Sequence, residues 1–509
     1  MGAIRALPGL YACRLFQDFE GFFPEARIVP GCEVGSERIP KSVKRFSEKI
    51  REKINTCSAD PMPIRSVRLK PRKGNQLAQT IFIPKESDPV ETRVAASAET
   101  VKKFIALGFD VVVEKGAGEK SRIIDTEFVT AGARIGTTAD AKTADVILKV
   151  RRPNDSELKG YKSGAALFAM LDPYGHEDAV AALGKAGISA FTMEFMPRIT
   201  RAQVMDVLSS QANLAGYQAV IDASETYDRA MPMMMTAAGT VPAARVFVMG
   251  AGVAGLQAIA TARRLGAVVT ATDVRPAAKE QVASLGAKFI AVEDEEFKAA
   301  ETSGGYAKEM SKEYQAKQAA LVADHIAKQD IVITTALIPG RPAPRLVTKE
   351  MVAAMRPGSV LIDLAVERGG NVEGAIAGRI AEVNGVKIVG HLNVPGRIAA
   401  TASQLYARNL YAFLETLVDK EAKLFRFDPE EELVKATLLT HEGKVVHPAF
   451  AKAEVETAPV SAVEKTAKPK AAPKAKASVV EGEAEKPVRK TVRKATAKPA
   501  KTSADGGEA

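Results

Sequence analysis

The sequence predicts an α/β protein with two Rossmann-like domains built on parallel sheets, the first discontinuous, linked by long helices. Three observations predict this class. Short apolar runs alternate with segments of helical periodicity, which is typical of βαβ units. The apolar run RVFVM passes directly into a GxGxxG turn that opens a helix. Long helical segments follow each of the two series of elements, which indicates that the chain leaves the first domain and later returns to it.

The first series supplies the first domain, predicted over residues 76–200 and 400–452. Its strands are runs of apolar and β-branched residues, and its helices repeat apolar residues at helical spacing. The predictions in chain order are strand 80–86, helix 99–109, strand 110–118, helix 125–133 and strands 145–153, 165–171 and 188–195. A hairpin about His441, Glu442 and Gly443 is predicted to cap this domain.

The second series supplies the NAD-binding domain, predicted over residues 201–399. A linking helix, 202–227, precedes it, and a second long helix, 402–419, follows it. The same patterns predict, in chain order, strand 244–252, helix 253–267, strand 268–274, helix 277–287, strand 288–292, helix 311–329, strand 330–337, helix 348–358 and strands 359–366 and 386–394.

The two ends of the chain differ in composition from its centre. Residues 1–75 carry 15 basic and 8 acidic side chains, and residues 451–509 carry 13 and 8, whereas the centre is close to neutral. We interpret 1–75 as an N-terminal extension and 453–509, an Ala/Lys/Pro mixture, as a disordered tail. Since the net charge of +10 belongs to the tails, no nucleic-acid partner is expected. No apolar stretch is long enough to predict a transmembrane segment.

Cysteine and histidine spacing predicts no metal site. The three cysteines, Cys13, Cys32 and Cys57, are spaced too widely for a zinc knuckle or a CxxC redox pair. The five histidines are scattered without metal-ligand spacing.

The strongest local motif is the glycine turn at 250–255, because it stands between a predicted strand and a predicted helix. Its glycines allow a tight turn and a close approach of backbone N–H groups to a pyrophosphate. The candidate pyrophosphate contacts are Gly250, Ala251, Gly252, Val253 and Gly255. Asp273 ends the next predicted strand, and a carboxylate there accepts both ribose hydroxyls and repels a 2′-phosphate. The motif therefore favours NAD(H) over NADP(H).

A second candidate cluster, Arg198, Gln203 and Asp206, lies where the first series gives way to the linking helix. A guanidinium, an amide and a carboxylate at the mouth between two domains could orient a nicotinamide. Composition alone favours the start of a helix with ordinary caps and exposed charges.

Several motifs resemble one known family. IFIPKE, ETRVA and VEKGAG resemble the N-terminal domain shared by alanine dehydrogenases and nicotinamide nucleotide transhydrogenases. Alanine dehydrogenases have a substrate-binding lysine in a KVKEP-like segment, and Lys149 matches it in KVRRP. Their catalytic histidine lies about 20 residues on, where this chain has Asp172 in LFAMLDPYG. The resemblance implies that the acid/base group of amino-acid chemistry is missing.

Longer motifs resemble the NAD(H)-binding domain I of proton-translocating transhydrogenases over residues 78–450. They include MPRITRAQVMDVLSSQANLAGYQAV, GGYAKEM, TTALIPGRPAP, IDLAVERGGN and GHLNVP. This resemblance implies that Arg198, Gln203 and Asp206 position the dihydronicotinamide. It implies further contacts at Ile199, Thr200, Arg201 and Ser209 beside them, at Asp273, Val274 and Arg275 on the adenosine, at Gly305, Tyr306 and Met310 in a mobile loop, and at Gln318 and Leu337.

The resemblance also implies a function and partners. The chain is similar to the separate NAD(H)-binding subunit of three-subunit bacterial transhydrogenases. Hydride is then expected to pass from NADH to NADP⁺ held by domain III of a partner, coupled to proton translocation by membrane-spanning subunits. A homodimer, peripheral on the cytoplasmic side of the bacterial inner membrane, is expected. Two alternatives stay open: a soluble NAD-dependent alanine-type dehydrogenase, which Asp172 disfavours, and a non-catalytic NAD-sensing module.

Overall fold

A computed structural model of the chain describes residues 78–298, 310–338 and 340–451. The predicted N-terminal extension, the predicted disordered tail and the loop that carries Gly305 and Tyr306 lie outside these residues. Within them, the α/β class with two Rossmann-like sheets, the first discontinuous in sequence, is confirmed. No helix among the described residues is long and apolar enough to cross a membrane.

The strands are short, and the central ones are buried on both faces, as expected for sheets that helices cover on both sides. In chain order they are β1 (Thr80–Ile83), β2 (Asp110–Glu114), β3 (Arg134–Gly136), β4 (Val146–Arg151), β5 (Ala166–Met170), β6 (Ser189–Thr192), β7 (Met234–Thr236), β8 (Gly239–Val241), β9 (Arg245–Met249), β10 (Val268–Thr272), β11 (Lys288–Phe289), β12 (Ile331–Thr334), β13 (Val360–Asp363), β14 (Ile380–Val383), β15 (Val386–Val389), β16 (Val418–Asp419), β17 (Leu424–Phe425), β18 (Leu438–His441) and β19 (Lys444–Val445).

The helices begin and end at residues with recognisable caps. For example, Ser97 and Thr100 form a capping box at the start of the first helix, and Gly108 ends it in a left-handed conformation. In chain order the helices are α1 (Ala98–Leu107), α2 (Asp125–Ala131), α3 (Asp155–Leu158), α4 (Glu177–Lys185), α5 (Val207–Thr226), α6 (Val253–Arg264), α7 (Ala278–Ser284), α8 (Glu295–Lys298), α9 (Lys312–Ile326), α10 (Lys349–Ala354), α11 (Ala399–Thr416) and α12 (Glu432–Thr437).

The first sheet has the order β19-β18-β6-β5-β4-β1-β2-β3. Strands β1 to β6 are parallel, and β18 joins the edge of β6 in the antiparallel direction. The hairpin of β18 and β19 is the predicted cap, so the chain returns to its first sheet after completing the second. The core of this domain includes Phe104, Phe128 and Phe413, which come from α1, α2 and α11.

The second sheet has the order β11-β10-β9-β12-β13-β15-β14. All its pairings are parallel except the pairing of β14 with β15 at one edge. In both sheets the strand order reverses between the first and fourth strands, at β1/β4 and at β9/β12. Ligands of doubly wound folds bind at such a switch point, outside the carboxyl ends of the strands. The two switch points therefore define where functional residues are sought.

The linking helix α5 packs closely on the second domain. Ala219 and Val220 belong to the core of that domain, together with Ala258 and Ile259 of α6. A Cβ on Gly216 would lie 2.0 Å from the carbonyl oxygen of Ala254, so glycine is required for this approach of α5 to the start of α6.

Four features differ from the predicted elements. Most strands are shorter than predicted, because their last residues leave the sheet to form the loops at its carboxyl edge. The linking helix begins at Val207, because residues Thr200–Met205 form a 3₁₀ helix instead. Helix α12 precedes the capping hairpin. Strands β3, β7, β8 and β14 and the ribbon of β16 and β17 were not predicted; they are short or alternate exposed and half-buried residues.

Candidate functional site

A tight glycine turn lies at the switch point of the second sheet. Gly250 adopts φ +105°, which favours glycine, and its N–H donates to the Thr272 carbonyl at 2.8 Å. The Gly250 carbonyl accepts the hydroxyl of Thr335, which follows β12, at 3.1 Å. The turn thus ties together the ends of β9, β10 and β12.

The other two glycines of the turn have different surroundings. A Cβ on Gly255 would lie 1.8 Å from the Gly250 carbonyl oxygen, so only glycine lets α6 begin this close to the turn. A Cβ on Gly252 would have no atom within 4 Å, so the space in front of the turn is open. No side chain caps α6. An open, uncapped helix N-terminus fits an anion such as a pyrophosphate.

Asp273 follows β10, and its carboxylate lies beside this turn. It accepts the N–H of Ala251 at 2.7 Å and the N–H of Arg275 at 2.9 Å. The Arg275 guanidinium donates to the same carboxylate at 2.9 and 3.0 Å. Only 7% of the Asp273 side chain is exposed. A ribose that bound there would therefore compete with Arg275 for the carboxylate oxygens.

The remaining predicted contacts of this domain lie at the same edge of the sheet. Gln318, on α9, accepts the N–H of Val292 at 2.9 Å and donates to the Thr272 hydroxyl at 3.2 Å. Leu337 follows β12 and Val274 follows Asp273, and both side chains are exposed. Met310 lies just before α9. The structure thus brings these residues to one edge, around the glycine turn.

The predicted nicotinamide cluster lies between β6 and α5. Asp206 caps α5, because its carboxylate accepts the N–H of Ser209 at 2.9 Å and the Ser209 hydroxyl at 2.6 Å. Arg198 and Gln203 are exposed. Gly216, where α5 contacts α6, lies seven residues beyond Ser209, which is about 10 Å along the helix axis. The cluster and the glycine turn therefore lie at two points along one helix.

Two residues of the same segment contact the first domain instead. The Arg201 guanidinium donates to Glu431 at 2.6 Å and to Glu432 at 3.0 Å, at the start of α12. Ile199 is half-buried and packs against the core of the first domain. Thr200 is exposed. In this arrangement Arg201 faces α12, so its predicted nucleotide contact would require the two carboxylates to release it.

The switch point of the first sheet is filled by charged side chains of the chain itself. Lys149, on β4, is fully buried and pairs with Glu86 at 3.1 Å and Glu157 at 2.8 Å. Burial acts to lower the pKa of Lys149, but the charges of the two carboxylates outweigh it and raise that pKa. The lysine is therefore a charged, internally paired group, and no oxygen of a substrate can reach it in this arrangement.

A second buried cluster lies next to the first. Glu91 is 1% exposed and accepts the Arg93 guanidinium at 2.8 and 2.7 Å and the Arg151 guanidinium at 2.8 Å. Asn393, from the second domain, donates to the same carboxylate at 3.1 Å. Burial acts to raise the pKa of Glu91, but the hydrogen bonds and charge of Arg93, with the charge of Arg151, lower it to about 2.

Comparison with known proteins follows this division into two sheets. The chain matches "Alanine dehydrogenase/PNT, N-terminal domain" over residues 82–215 and "Alanine dehydrogenase/PNT, C-terminal domain" over residues 219–448. It is 57% identical over 377 residues to the first of the separate polypeptides that form the NAD(P) transhydrogenase alpha subunit of Rhodospirillum rubrum, covering 73% of this chain and 98% of that protein. The chain belongs to the alanine dehydrogenase/transhydrogenase family.

Both branches of the alanine dehydrogenase/transhydrogenase family occur among its relatives. An alanine dehydrogenase of Methanococcus maripaludis is 31% identical, covering 73% of this chain and 96% of that protein. The crystal structure of a transhydrogenase from Sinorhizobium meliloti is 71% identical, with a TM-score of 0.67, covering 72% of this chain and 100% of that one. An L-alanine dehydrogenase structure at 24% identity, with a TM-score of 0.61, shows the shared fold.

Sequence reasoning missed several residues of this family member that shape the site. Thr335 supports the glycine turn, and Arg368 pairs with Asp172 across the two domains. Asn371 is fully buried and bonds both backbone groups of Ala336, which fixes the loop after β12. Arg368 and Asn371 both lie in the motif IDLAVERGGN. Their position just after a predicted strand was the available signal. No group of acidic, histidine or cysteine side chains able to hold a metal occurs within the described ranges.

Replacing Asp273 by asparagine should relax the preference for NADH over NADPH. A hydrogen bond to a charged group contributes about 1.5–3 kcal/mol, so NADH affinity should fall by about tenfold or more. NADPH binding should change less, because its 2′-phosphate no longer meets a carboxylate. Calorimetry with both nucleotides measures this, with Asp324→Asn on the exposed surface of α9 as the matched control. Equal affinities of the unaltered chain for the two nucleotides would refute the ribose assignment.

Proposed function

We propose that the chain is the NAD(H)-binding peripheral subunit of a proton-translocating NAD(P)⁺ transhydrogenase. The observation that carries this proposal is the contrast between the two switch points. The second sheet presents an open glycine turn beside Asp273, whereas internal ion pairs fill the first sheet at Lys149. The chain therefore offers one nucleotide site and no site for an amino-acid substrate.

The residues at the second switch point fit a dinucleotide. Gly250, Ala251, Gly252, Val253 and Gly255 would hold the pyrophosphate, because the space before Gly252 is open and α6 begins there uncapped. The proposed adenosine contacts are Asp273, Val274 and Arg275, with Gln318 and Leu337 nearby and with Gly305 and Tyr306 in the loop that precedes α9.

The 198–209 segment would position the nicotinamide end of the same nucleotide. Arg198 and Gln203 are exposed, and the carboxylate of Asp206 is fixed by its cap on α5. The bound NADH supplies a hydride that passes directly to NADP⁺, so no side chain has to move a proton. The role of Arg198, Gln203 and Asp206 is then orientation, which alone can contribute a large part of a rate enhancement.

The proposed partners are membrane-spanning transhydrogenase subunits, an NADP(H)-binding domain III and a second copy of this chain. Relatives named as alpha subunits support an assembly of several subunits. The hairpin of β7 and β8 supports the homodimer, because residues 232–240 are all exposed and include Met233, Met234 and Met235. An exposed apolar row of this kind is typical of a surface that a partner covers. Peripheral attachment on the cytoplasmic side of the inner membrane follows from this assembly.

The second candidate function is an alanine-type dehydrogenase. The related alanine dehydrogenases and the presence of Lys149 favour it. The buried pairing of Lys149 and the carboxylate at Asp172 oppose it, since neither leaves a free cation or a histidine for an amino acid.

The test is hydride transfer from NADH to NADP⁺ by the chain mixed with a domain III. We expect transfer by the unaltered chain and no alanine-dependent NADH formation. Gln203→Asn should leave NADH affinity within a few-fold and reduce transfer much more, which is the form expected when an orienting contact is lost. Gln281→Asn, the same change on the exposed surface of α7, is the control. Robust alanine oxidation would reverse the choice between the two functions, and equal losses for Gln203→Asn would reduce the residue to a binding contact.

A further inference from the structure

An ion pair joins the two domains across the cleft between them. Asp172 lies in the turn after β5, and Arg368 ends the short 3₁₀ helix Val366–Arg368 after β13. The Arg368 guanidinium donates to the Asp172 carboxylate, and the two side chains are 44% and 38% exposed. Both loops leave the carboxyl ends of parallel strands, so the pair connects the two edges at which these sheets bind ligands.

The turn that carries Asp172 is held from two sides. Glu194 accepts the N–H groups of Leu171, at 3.1 Å, and of Asp172. Arg152 donates to the carbonyls of the same two residues, at 2.5 and 2.9 Å. Asp172 adopts φ +47°, in the left-handed region that aspartate and asparagine tolerate better than most residues. The carboxylate is therefore fixed by contacts within the first domain.

The turn that carries Arg368 is fixed as well. Asp363 accepts the N–H groups of Ala365 and Val372, both at 2.9 Å, which closes the turn on either side of Arg368. The Arg368 carbonyl accepts the N–H of Ala343 at 2.8 Å. Little conformational freedom remains to be lost when the pair forms, in contrast to an ordinary surface ion pair.

A second contact accompanies the ion pair across the same cleft. The ring of Tyr174, two residues after Asp172, lies against the backbone of Gly340 in the loop after β12, where a Cβ would lie 3.1 Å from the ring. That loop also carries Leu337, one of the proposed nucleotide contacts. The first domain therefore contacts the second beside the proposed nucleotide site.

We propose that Asp172 and Arg368 form an interdomain latch that holds the cleft at the spacing in which the nicotinamide faces Arg198 and Gln203. They are positioning residues and do not touch the reacting atoms. This inference rests on the proposed function, because it assigns the pair to the same site. When only a fraction of molecules has the closed cleft, the apparent affinity for NADH falls by that fraction. Loss of the latch should therefore weaken NADH binding without unfolding the chain.

The test is a double-mutant cycle on the full chain with Asp172→Asn, Arg368→Gln and the two together. Each single change should raise the Kd of NADH by about two- to fivefold, the range that partly exposed ion pairs reach. The double variant should be no worse than either single one, because each change alone already opens the latch. Thermal midpoints should stay unchanged, and asparagine keeps the left-handed turn at residue 172. Arg408→Gln, which breaks an ion pair of similar exposure within the first domain, should leave the Kd unchanged.

The outcomes separate this inference from the proposed function. Additive losses in the double variant, or single variants that bind NADH like Arg408→Gln, would overturn the latch while hydride transfer by the unaltered chain upheld the function. A non-additive cycle in a chain that transfers no hydride would support the latch and overturn the transhydrogenase assignment. An unaltered chain that did not bind NADH would overturn both.

Discussion

Replacing Gly255 by alanine should abolish NADH binding and destabilise the chain. The added Cβ would lie 1.8 Å from the Gly250 carbonyl oxygen, far inside van der Waals contact. The backbone at Gly250 has little room to move, because it is bonded to Thr272 and Thr335. We expect the free energy of unfolding to fall by about 3 kcal/mol or more, at the upper end for overpacked sites. Thermal unfolding and calorimetry with NADH measure the two effects.

Gly252→Ala provides the matched control for this prediction. A Cβ at Gly252 meets no atom within 4 Å, and its φ of −75° suits any residue. Stability should stay within about 0.5 kcal/mol of the unaltered chain. NADH affinity should still fall, because the methyl group enters the space proposed for the pyrophosphate. Unchanged affinity in Gly252→Ala would move the pyrophosphate away from this turn.

Glu91→Gln should cost about 3–5 kcal/mol of the free energy of unfolding, because it leaves buried guanidinium groups without their counter-charge. The side chain of Glu91 is fully buried and that of Arg93 is 2% exposed, so water cannot replace the lost pairing. Chemical denaturation at neutral pH measures the loss. Glu99→Gln, which breaks exposed pairs with Lys103 and Arg408, should cost less than about 1 kcal/mol.

The same cluster predicts a dependence on pH. The pKa of Glu91 is lowered from 4.5 to about 2 in the folded chain. A carboxyl with a lowered folded-state pKa contributes stability that is fully present above its unfolded pKa and is lost as the pH falls through the folded one. The difference between the unaltered chain and Glu91→Gln should therefore shrink between about pH 5 and pH 2. A difference that stays constant over this range would show that lost packing, not lost charge, causes the destabilisation.

Local patterns were sufficient to predict the parallel strands and the glycine turn. Strands such as β9 and β12 are apolar on both faces because helices cover both, and this burial produces a continuous run that is visible in the sequence. The turn was predictable because Gly250 and Gly255 meet constraints within a few residues of themselves. The strand that follows leads directly to Asp273, whose contact with Ala251 depends on the parallel pairing of β9 and β10.

Contacts between distant parts of the chain were not predictable in this way. Arg201 contacts Glu431, and Arg368 contacts Asp172, yet nothing in the local pattern of either arginine specifies its partner. Gly216 has the same property, since a glycine within a helix indicates a close approach without saying to what. The antiparallel strands β14 and β18 join sheet edges, where the exposed face weakens the apolar signal.

The return of the chain to its first sheet has a consequence for folding during synthesis. Strand β6 ends at Thr192, but β18, which covers its edge, begins only at Leu438. The N–H and C=O groups along that edge of β6 stay unpaired while the ribosome makes the whole second domain, whose strands β9 to β15 form one continuous stretch of sequence. The usual order, in which the N-terminal domain is completed first, is therefore reversed: the second domain can finish folding on the ribosome before the first.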